Sequence, residues 1–387
     1  MKKTLLGSIA GIQTGPFGSQ LHKEDYVENG TPIVTVEHLG NRVFTEQNLP
    51  MVSDYDKERL NKYVLCEGDI VFSRVGSVDR CSYVDSNHSG WMFPGRCLRV
   101  RPSDKLYPLY LYYYFCMEST KRFVRNIAVG ATMPSINTKL MGEVEVSVPS
   151  IDTQKRIVTI LSSIDDKIEL NAVINENLEQ QAQALFKDMI KDVQEQVPFT
   201  SIIQVLGGGT PKTGKQEYWN GEIPFFTPKD VGSPYVLTTE KSITHLGLNN
   251  CNSRLYPVNT VFLTARGTVG KVSLAGVPMA MNQSCYALAG KNGLHQIVVY
   301  QYVLETVKAL KHKASGAVFD AIITRDFDTE TIPELSSAQI DSYVAVAGPK
   351  YSEIRNRTLE NQRLASIRDT LLPKLMNGEI DVSKVQI

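Results

Sequence analysis

The segment "GGGTPKTGKQEYW", Gly207 to Trp219, brings glycines, lysines and hydroxyls together at almost the spacing of a phosphate-binding loop. A P-loop of the form G-x-x-x-x-G-K-[ST] uses backbone N–H groups to cradle phosphates, a Lys to reach the β/γ-phosphates and a hydroxyl to hold Mg²⁺. Gly209, Gly214 and Lys215 fit this form, but Gln216 stands where the hydroxyl is needed. An ATPase built on Gly209–Lys215 is therefore one reading, with its metal ligand missing. Other catalytic patterns are absent: there is no G-x-S-x-G elbow, no H-E-x-x-H zinc pair and no amino-methyltransferase tetrapeptide of the N-P-P-Y or D-P-P-F type. His22, His38, His88, His245, His295 and His312 are scattered at no ligand spacing. No catalytic residue and no metal ligand is assigned.

A different chemistry fits the same loop. Glycines let a backbone approach a phosphate, and successive N–H groups can form an anion nest. The segment "TGPFGSQLHKEDY" (Thr14–Tyr26) holds the corresponding early place in the first half of the chain. Lys23, Lys212, Lys215 and Lys229 can neutralise phosphates, while Ser19, Gln20 and Thr210 can donate and accept at base edges. Tyr26, Tyr218 and Trp219 can pack on sugars or bases; in the plainer alternative Tyr218 and Trp219 belong to the core.

The elements that must position these residues come in two copies. "GDIVFSRVGSVDRCS" (Gly68–Ser82) recurs as "NTVFLTARGTVGKVS" (Asn259–Ser273). Aligned on Gly76 and Gly267, each copy has an apolar strand, then Arg74 or Arg266, then the glycine, with Arg80 or Lys271 four residues on. "GATMPSINTK" (Gly130–Lys139) answers "GAVFDAIITR" (Gly316–Arg325), and "VPSIDTQ" (Val148–Gln154) answers "IPELSSAQ" (Ile332–Gln339). Each half runs strand-rich domain, Pro-bearing junction, helix. One helical stretch is expected inside each domain, "PLYLYYYFCMESTKRFVRNI" and "QIVVYQYVLETVKALKHKA".

After each domain comes a heptad-like seam. In the first it is Ile157, Leu161, Ile164, Ile168, Asn171, Asn175, Leu178, Ala182, Leu185 and Met189, with the two asparagines setting register at some cost in stability. In the second, Ile340, Val344 and Ala347 make a short helix that Gly348–Pro349 is expected to interrupt. The pattern then resumes through Tyr351, Ile354, Thr358 and Asn361, drifts to Leu364, Ile367, Leu371 and Leu375, and stops at Gly378. A two-fold arrangement of the halves would set the helices antiparallel and bury both seams. The spacer from Ser162 to Lys191 would then be roughly 45 Å long.

Composition agrees with a multidomain globular protein. At 387 residues two or three domains are expected. No run of ~20 apolar residues is present, and the start "MKKTLLGSIAGIQTG" reads as a first strand rather than a signal peptide. Cys66, Cys81, Cys97, Cys116, Cys251 and Cys285 form no C-x-x-C pair and read as reduced, mostly buried thiols of a cytoplasmic protein. Net charge is zero, but basic against acidic residues number 17 to 16 over 1–150, 5 to 9 over 151–197, 12 to 9 over 198–333 and 7 to 7 over 334–387. The slight basic excess falls on the loop-bearing domains, which permits a DNA face without showing one.

The chain resembles the specificity (S) subunit of type I restriction–modification systems. "GPFGSQLHKEDYVENG" and "GGGTPKTGKQEYWNGEIPFFTPKD" are similar to the openings of its target-recognition domains. "GDIVFSRVGSV", "VPSIDTQKRIVTILSSIDDKIELNAVINENLEQQAQALF" and "LASIRDTLLPKLMNGEI" resemble its strand–loop segment, spacer and last helix. The resemblance implies an α+β fold: two α/β target-recognition domains related by pseudo-two-fold symmetry and separated by an antiparallel coiled coil of two long helices. The domains would be 1–150 and 198–333, and the helical regions 151–197 and 334–387. It also implies a non-catalytic reader of a bipartite, asymmetric double-stranded DNA target, acting with two methyltransferase (M) subunits and restriction (R) subunits. S-adenosylmethionine, ATP and Mg would then bind the partners and no cofactor this chain. Half-sites one DNA turn apart, ~34–36 Å, are within the reach of such a spacer. A coiled-coil adaptor that binds no DNA is the remaining alternative.

Overall fold

The computed structural model describes residues 3–16, 18, 20–232, 234–313 and 321–385. The chain divides into two compact units, Met1–Asp166 with Ala365–Ile387, and Lys167–Leu364. Each unit takes a domain together with part of each long helix.

The first unit is built on a sheet of β1 (Ala10–Thr14), β2 (Ile70–Ser73), β3 (Cys81–Tyr83) and β4 (Cys97–Pro102), in the order β1-β4-β2-β3, all antiparallel. β2 is buried at every position, which accounts for its unbroken apolar run. Against the sheet lie the helices Pro108–Cys116 and Glu118–Ile127, with Phe115 edge-on to Phe72 at 4.7 Å. The single expected helical stretch is two helices: Met117 takes an extended backbone and drops its side chain, 4 % exposed, into the core. A short pair, Lys3–Leu5 with Glu145–Ser147, closes the domain at the foot of α1 (Ile151–Ile190). Ile157 and Leu161 of α1 are buried in the same core as Leu372, Leu375 and Met376.

The second unit repeats the plan. β5 (Ile203–Gly207), β6 (Tyr235–Val236), β7 (Val261–Thr264), β8 (Val272–Ala275) and β9 (Cys285–Gly290) run in the order β5-β9-β7-β8-β6. The pair Gln196–Pro198 with Thr331–Pro333 matches that of the first unit. Helix Gln296–Lys313 packs on this sheet, and α2 (Ser337–Met376) completes the unit.

The helices pair antiparallel in each unit. In the second, Asn171 Nδ2 donates to Asn361 Oδ1 (2.8 Å) and Glu360 Oε2 (2.7 Å), and Arg357 Nη1 donates to Asn171 Oδ1 (2.8 Å). Asn361 Nδ2 in turn donates to the Ile168 carbonyl (3.0 Å), while Tyr343 OH reaches the Ala182 carbonyl (3.2 Å). In the first, Arg368 Nη1 donates to Asp165 Oδ1 (2.8 Å), whose other oxygen accepts from Tyr113 OH (2.6 Å).

Of the expected seam, Ile157, Leu161, Asn171, Asn175 and Ile354 are buried, and Ile164, Ile168, Leu178, Asn361 and Leu371 are half-buried. Leu185 is a correction. It is 42 % exposed, and its neighbour Phe186 is fully buried, edge-on to Tyr302 at 5.2 Å and Tyr343 at 5.4 Å. Near its end α1 meets helix Gln296–Lys313 as well as α2, so its buried side turns away from a strict heptad line. The break at Gly348–Pro349 is a second correction: α2 runs through it. Pro349 lies on the exposed side while Tyr343, Ala347, Tyr351 and Ile354 are buried on the other. Burying such side chains, ~1.5–3 kcal/mol for each large one, outweighs the ~3 kcal/mol cost of an interior proline.

Among the described residues no helix is long and apolar enough to cross a membrane, and no His/Cys/Asp/Glu group has the arrangement of a metal site. All six cysteines are free; Cys81, Cys97 and Cys285 are buried, Cys116 and Cys251 half-buried, and Cys66 is exposed.

Candidate nucleic-acid interface

Three backbone hydrogen bonds fix the same frame in both copies. Ser73 N donates to the Arg80 carbonyl (2.9 Å) as Thr264 N does to that of Lys271 (2.9 Å). Arg74 N donates to the Arg96 carbonyl (2.8 Å) as Ala265 N does to that of Ser284 (2.9 Å). Ile136 N reaches the Arg74 carbonyl (3.0 Å) as Ile322 N reaches that of Ala265 (2.9 Å). Gly76 and Gly267 both have positive φ, +73° and +83°, a region in which an L side chain is strained.

This register corrects the pairing of Arg74 with Arg266. The structural counterpart of Arg74 is Ala265; Arg266 stands opposite Val75. A shift of one residue along an extended strand points side chains to opposite faces. The two arginines therefore do different work: Arg74 Nη1 donates to the Gly95 carbonyl (2.9 Å), while Arg266 is exposed. Arg80 and Lys271 are true counterparts. Arg80 donates to the Leu39 carbonyl, and Lys271 is exposed beside the turn.

The glycine-rich loops are held by close approach to backbone. A Cβ on Gly15 would lie 2.3 Å from the Pro94 carbonyl oxygen, and one on Gly208, its counterpart, 2.1 Å from that of Asn282. Nothing lies within 4 Å of such an atom on Gly214. Lys215 pairs with Glu217 at 3.4 Å, and the chain continues into a single 3-10 turn, Gln216–Tyr218. A P-loop instead opens a long helix whose N-terminus faces the phosphates, so the loop has the wrong geometry for an ATP site.

The remaining loop residues fall into two groups. Ser19 and the side chain of Lys23 lie outside the described residues, as does Gly316–Asp320 of the second GA-bearing segment. Several of the others are engaged by the protein itself. Gln20 Oε1 accepts from Tyr63 OH (2.9 Å), Thr210 Oγ1 bonds Gln283 Oε1, and Trp219 stacks edge-on to Phe225 at 5.6 Å while its Nε1 donates to the Lys212 carbonyl (3.3 Å). Tyr218 is half-buried, Lys212 exposed, and Lys229 exposed with Glu240 at 3.8 Å. Trp219 thus follows its plainer reading, as a packing residue.

Two clefts bring some of the charged residues together, and Arg80, Lys212, Lys215 and Arg266 line neither. In the first unit a cleft of about 600 Å³ is lined by Tyr26, Thr35, Glu37, His38, Arg74 and Arg96, among others. Tyr26 is half-buried there; burial, then the Asp25 charge, raises its phenol pKa above the ordinary value. In the second unit a cleft of about 670 Å³ gathers Lys229, Lys271, Lys308 and Lys311 beside Tyr300 and Glu179. Lys311 Nζ donates to the Gly270 carbonyl (2.8 Å), and burial, reinforced by the Lys271 charge, lowers its pKa. Sequence reading missed Arg96, Glu37, Lys308 and Lys311. Alignment of Cys97 with Cys285, which occupy matched strand starts, is the signal that exposes Arg96.

Two α/β units, each joined to a stretch of both long helices and each opening a cleft with basic side chains, have the architecture of a recognition protein. The model of the type I restriction modification DNA specificity domain matches residues 1–180 and 192–335, and the chain belongs to that family. It is 22 % identical over 407 aligned positions to the type I restriction enzyme HindI specificity subunit of Haemophilus influenzae, covering 82 % of this chain and 88 % of that one. It is 24 % identical over 311 positions to the MjaIX specificity subunit of Methanocaldococcus jannaschii, covering 74 % and 72 %. The fold matches the type I S subunit of M. genitalium with a TM-score of 0.59 at 15 % identity, over 97 % of this chain and 95 % of that one. Recognition of DNA, without catalysis of its own, is the role this membership carries, and the ATPase reading finds no support.

Proposed function

We propose that each unit reads one half of a bipartite, asymmetric DNA sequence, while α1 and α2 dock two methyltransferase subunits, which restriction subunits then join. On this reading S-adenosylmethionine, ATP and Mg²⁺ bind those partners, the chain itself carries no cofactor, and the assembly works in the cytoplasm. The observation that carries it is the pair of superposable strand–loop frames bearing unlike side chains: Arg74, Arg96 and Glu37 in one, Ala265, Ser284 and Lys229 in the other. One frame with two sets of contacts reads two different sequences. Exposed apolar residues on the helices, Leu170, Val173, Val346 and Ile367, offer partner surface.

The test is binding of the full chain to duplexes in which either half-site is scrambled. Arg74→Ala, through the loop that Arg74 supports, is expected to weaken recognition of one half, and Arg266→Ala, through the exposed side chain itself, that of the other, where a lost base contact costs ~1–3 kcal/mol and relaxes specificity. Equal losses from both variants, whichever half is intact, would refute the division between units.

A further inference from the structure

Resting on that reading, we infer that the cleft of the first unit reads a G·C base pair, with Arg96 donating to guanine N7/O6 and Glu37 accepting from cytosine N4. The matched position in the second unit cannot read the same pair.

Glu37 and Arg96 are exposed and line the cleft. Glu37 sits on a 3-10 turn that the protein fixes from within: Thr35 N donates to His38 Nδ1 (2.9 Å), so the proton lies on Nε2, which donates to the Gln47 carbonyl (3.0 Å). His38 is 3 % exposed and is spent on holding the turn. In the second unit the same turn is held by Asp230, which accepts from Thr227 N (2.7 Å) and Thr227 Oγ1 (2.6 Å). The residue presented from the turn is Glu37 in one unit and Lys229 in the other, a reversal of charge on a common frame.

Arg96 is fixed in the same way. Its carbonyl accepts from Arg74 N and the next residue, Cys97, donates to the Pro94 carbonyl (2.8 Å), so the backbone is pinned while the side chain is exposed at the cleft. Arg74, tied to the Gly95 carbonyl, supports the loop that carries it. The counterparts of Arg74 and Arg96 are Ala265 and Ser284.

The chemistry of the pair then selects the ligand. A phosphate offers acceptors alone, and a carboxylate in the same cleft would repel it. A base-pair edge offers both signs. In the major groove guanine presents two acceptors, which arginine takes bidentately, and cytosine presents an N4 donor, which a carboxylate takes. An arginine and a glutamate opening on one cleft complement G·C. The second unit, with lysines in place of the carboxylate, suits the backbone, to which such contacts give affinity and register.

Selection from randomised duplexes by the full chain tests this, followed by titration of the selected site and its single-pair variants. The wild-type motif is expected to hold an invariant G·C pair in one half. Arg96→Ala, Arg96→Lys and Glu37→Gln should each cut discrimination at that pair, by about 5- to 150-fold for the arginine changes, and leave the other half untouched. Arg96→Lys keeps the charge, so the salt dependence of binding should stay as in the wild type. A loss that is uniform across sequences, restored by Arg96→Lys and accompanied by a salt slope smaller by about 1, would mark a phosphate contact and overturn the inference. A motif without a G·C pair sensitive to these changes overturns it equally, while DNA recognition by the chain stands. Failure of the wild-type chain to enrich any duplex would instead remove the reading beneath it.

Discussion

Phe186 and Leu185 adjoin on α1 and are expected to differ sharply in what they contribute. Phe186 is fully buried in the core of the second unit, and its ring meets those of Tyr302 and Tyr343 edge-on. Phe186→Ala removes the buried ring and leaves a cavity, a change that costs ~3–5 kcal/mol. That figure includes two edge-to-face contacts of the kind worth ~0.5–1.5 kcal/mol each beyond area burial. Leu185 is 42 % exposed, and Leu185→Ala exchanges one strong helix former for another on a largely solvated side. Its cost should stay below about 1 kcal/mol. Urea unfolding in a Trp91→Phe background leaves Trp219, in the second unit, as the fluorescent reporter. The expected outcome is a large drop in midpoint for Phe186→Ala, with little change in slope, and almost none for Leu185→Ala. Comparable losses from the two would show that the seam keeps a strict heptad line and that the account of its turn toward helix Gln296–Lys313 is wrong.

Gly208→Ala should destabilise by ~1–3 kcal/mol in thermal melts, because its Cβ must displace the Asn282 backbone; Gly214→Ala, with open space around it, should be neutral, the reverse of what a phosphate-cradling loop requires. Under native conditions a thiol reagent followed by mass spectrometry should modify Cys66 first. Cys97 should resist labelling at neutral pH, since burial pushes its thiol pKa up to about 12 and keeps it protonated; equal labelling of both would contradict their placement.

The duplication and the two long helices were legible from residue pattern alone. Repeats such as Gly68–Ser82 and Asn259–Ser273 record a backbone frame, and a frame leaves its mark in glycines and apolar runs because local sterics demand them. Gly76 and Gly267 at positive φ are such marks; so are Gly68 and Asn259, at +90° and +68°. Asn171 was legible for a similar reason, since a polar residue inside an apolar period stands out, and it bonds Asn361, Glu360 and Arg357 across the helix pair.

What the pattern left open was decided by packing across long sequence distances. The glycine alignment already sets Arg74 two residues before Gly76 and Arg266 one before Gly267, but what each side chain meets is decided by the ladder of hydrogen bonds to Arg96 and Ser284. Local propensity breaks α2 at Pro349, yet side chains buried on its other face carry the helix through. Glu37 and Arg96, 59 positions apart, carry no motif; they share a cleft because a turn pinned by His38 and a strand entry pinned by Arg74 converge there. Short-range sterics write the frame into the chain, whereas the side chains that meet a ligand are juxtaposed by contacts that no local window of sequence contains.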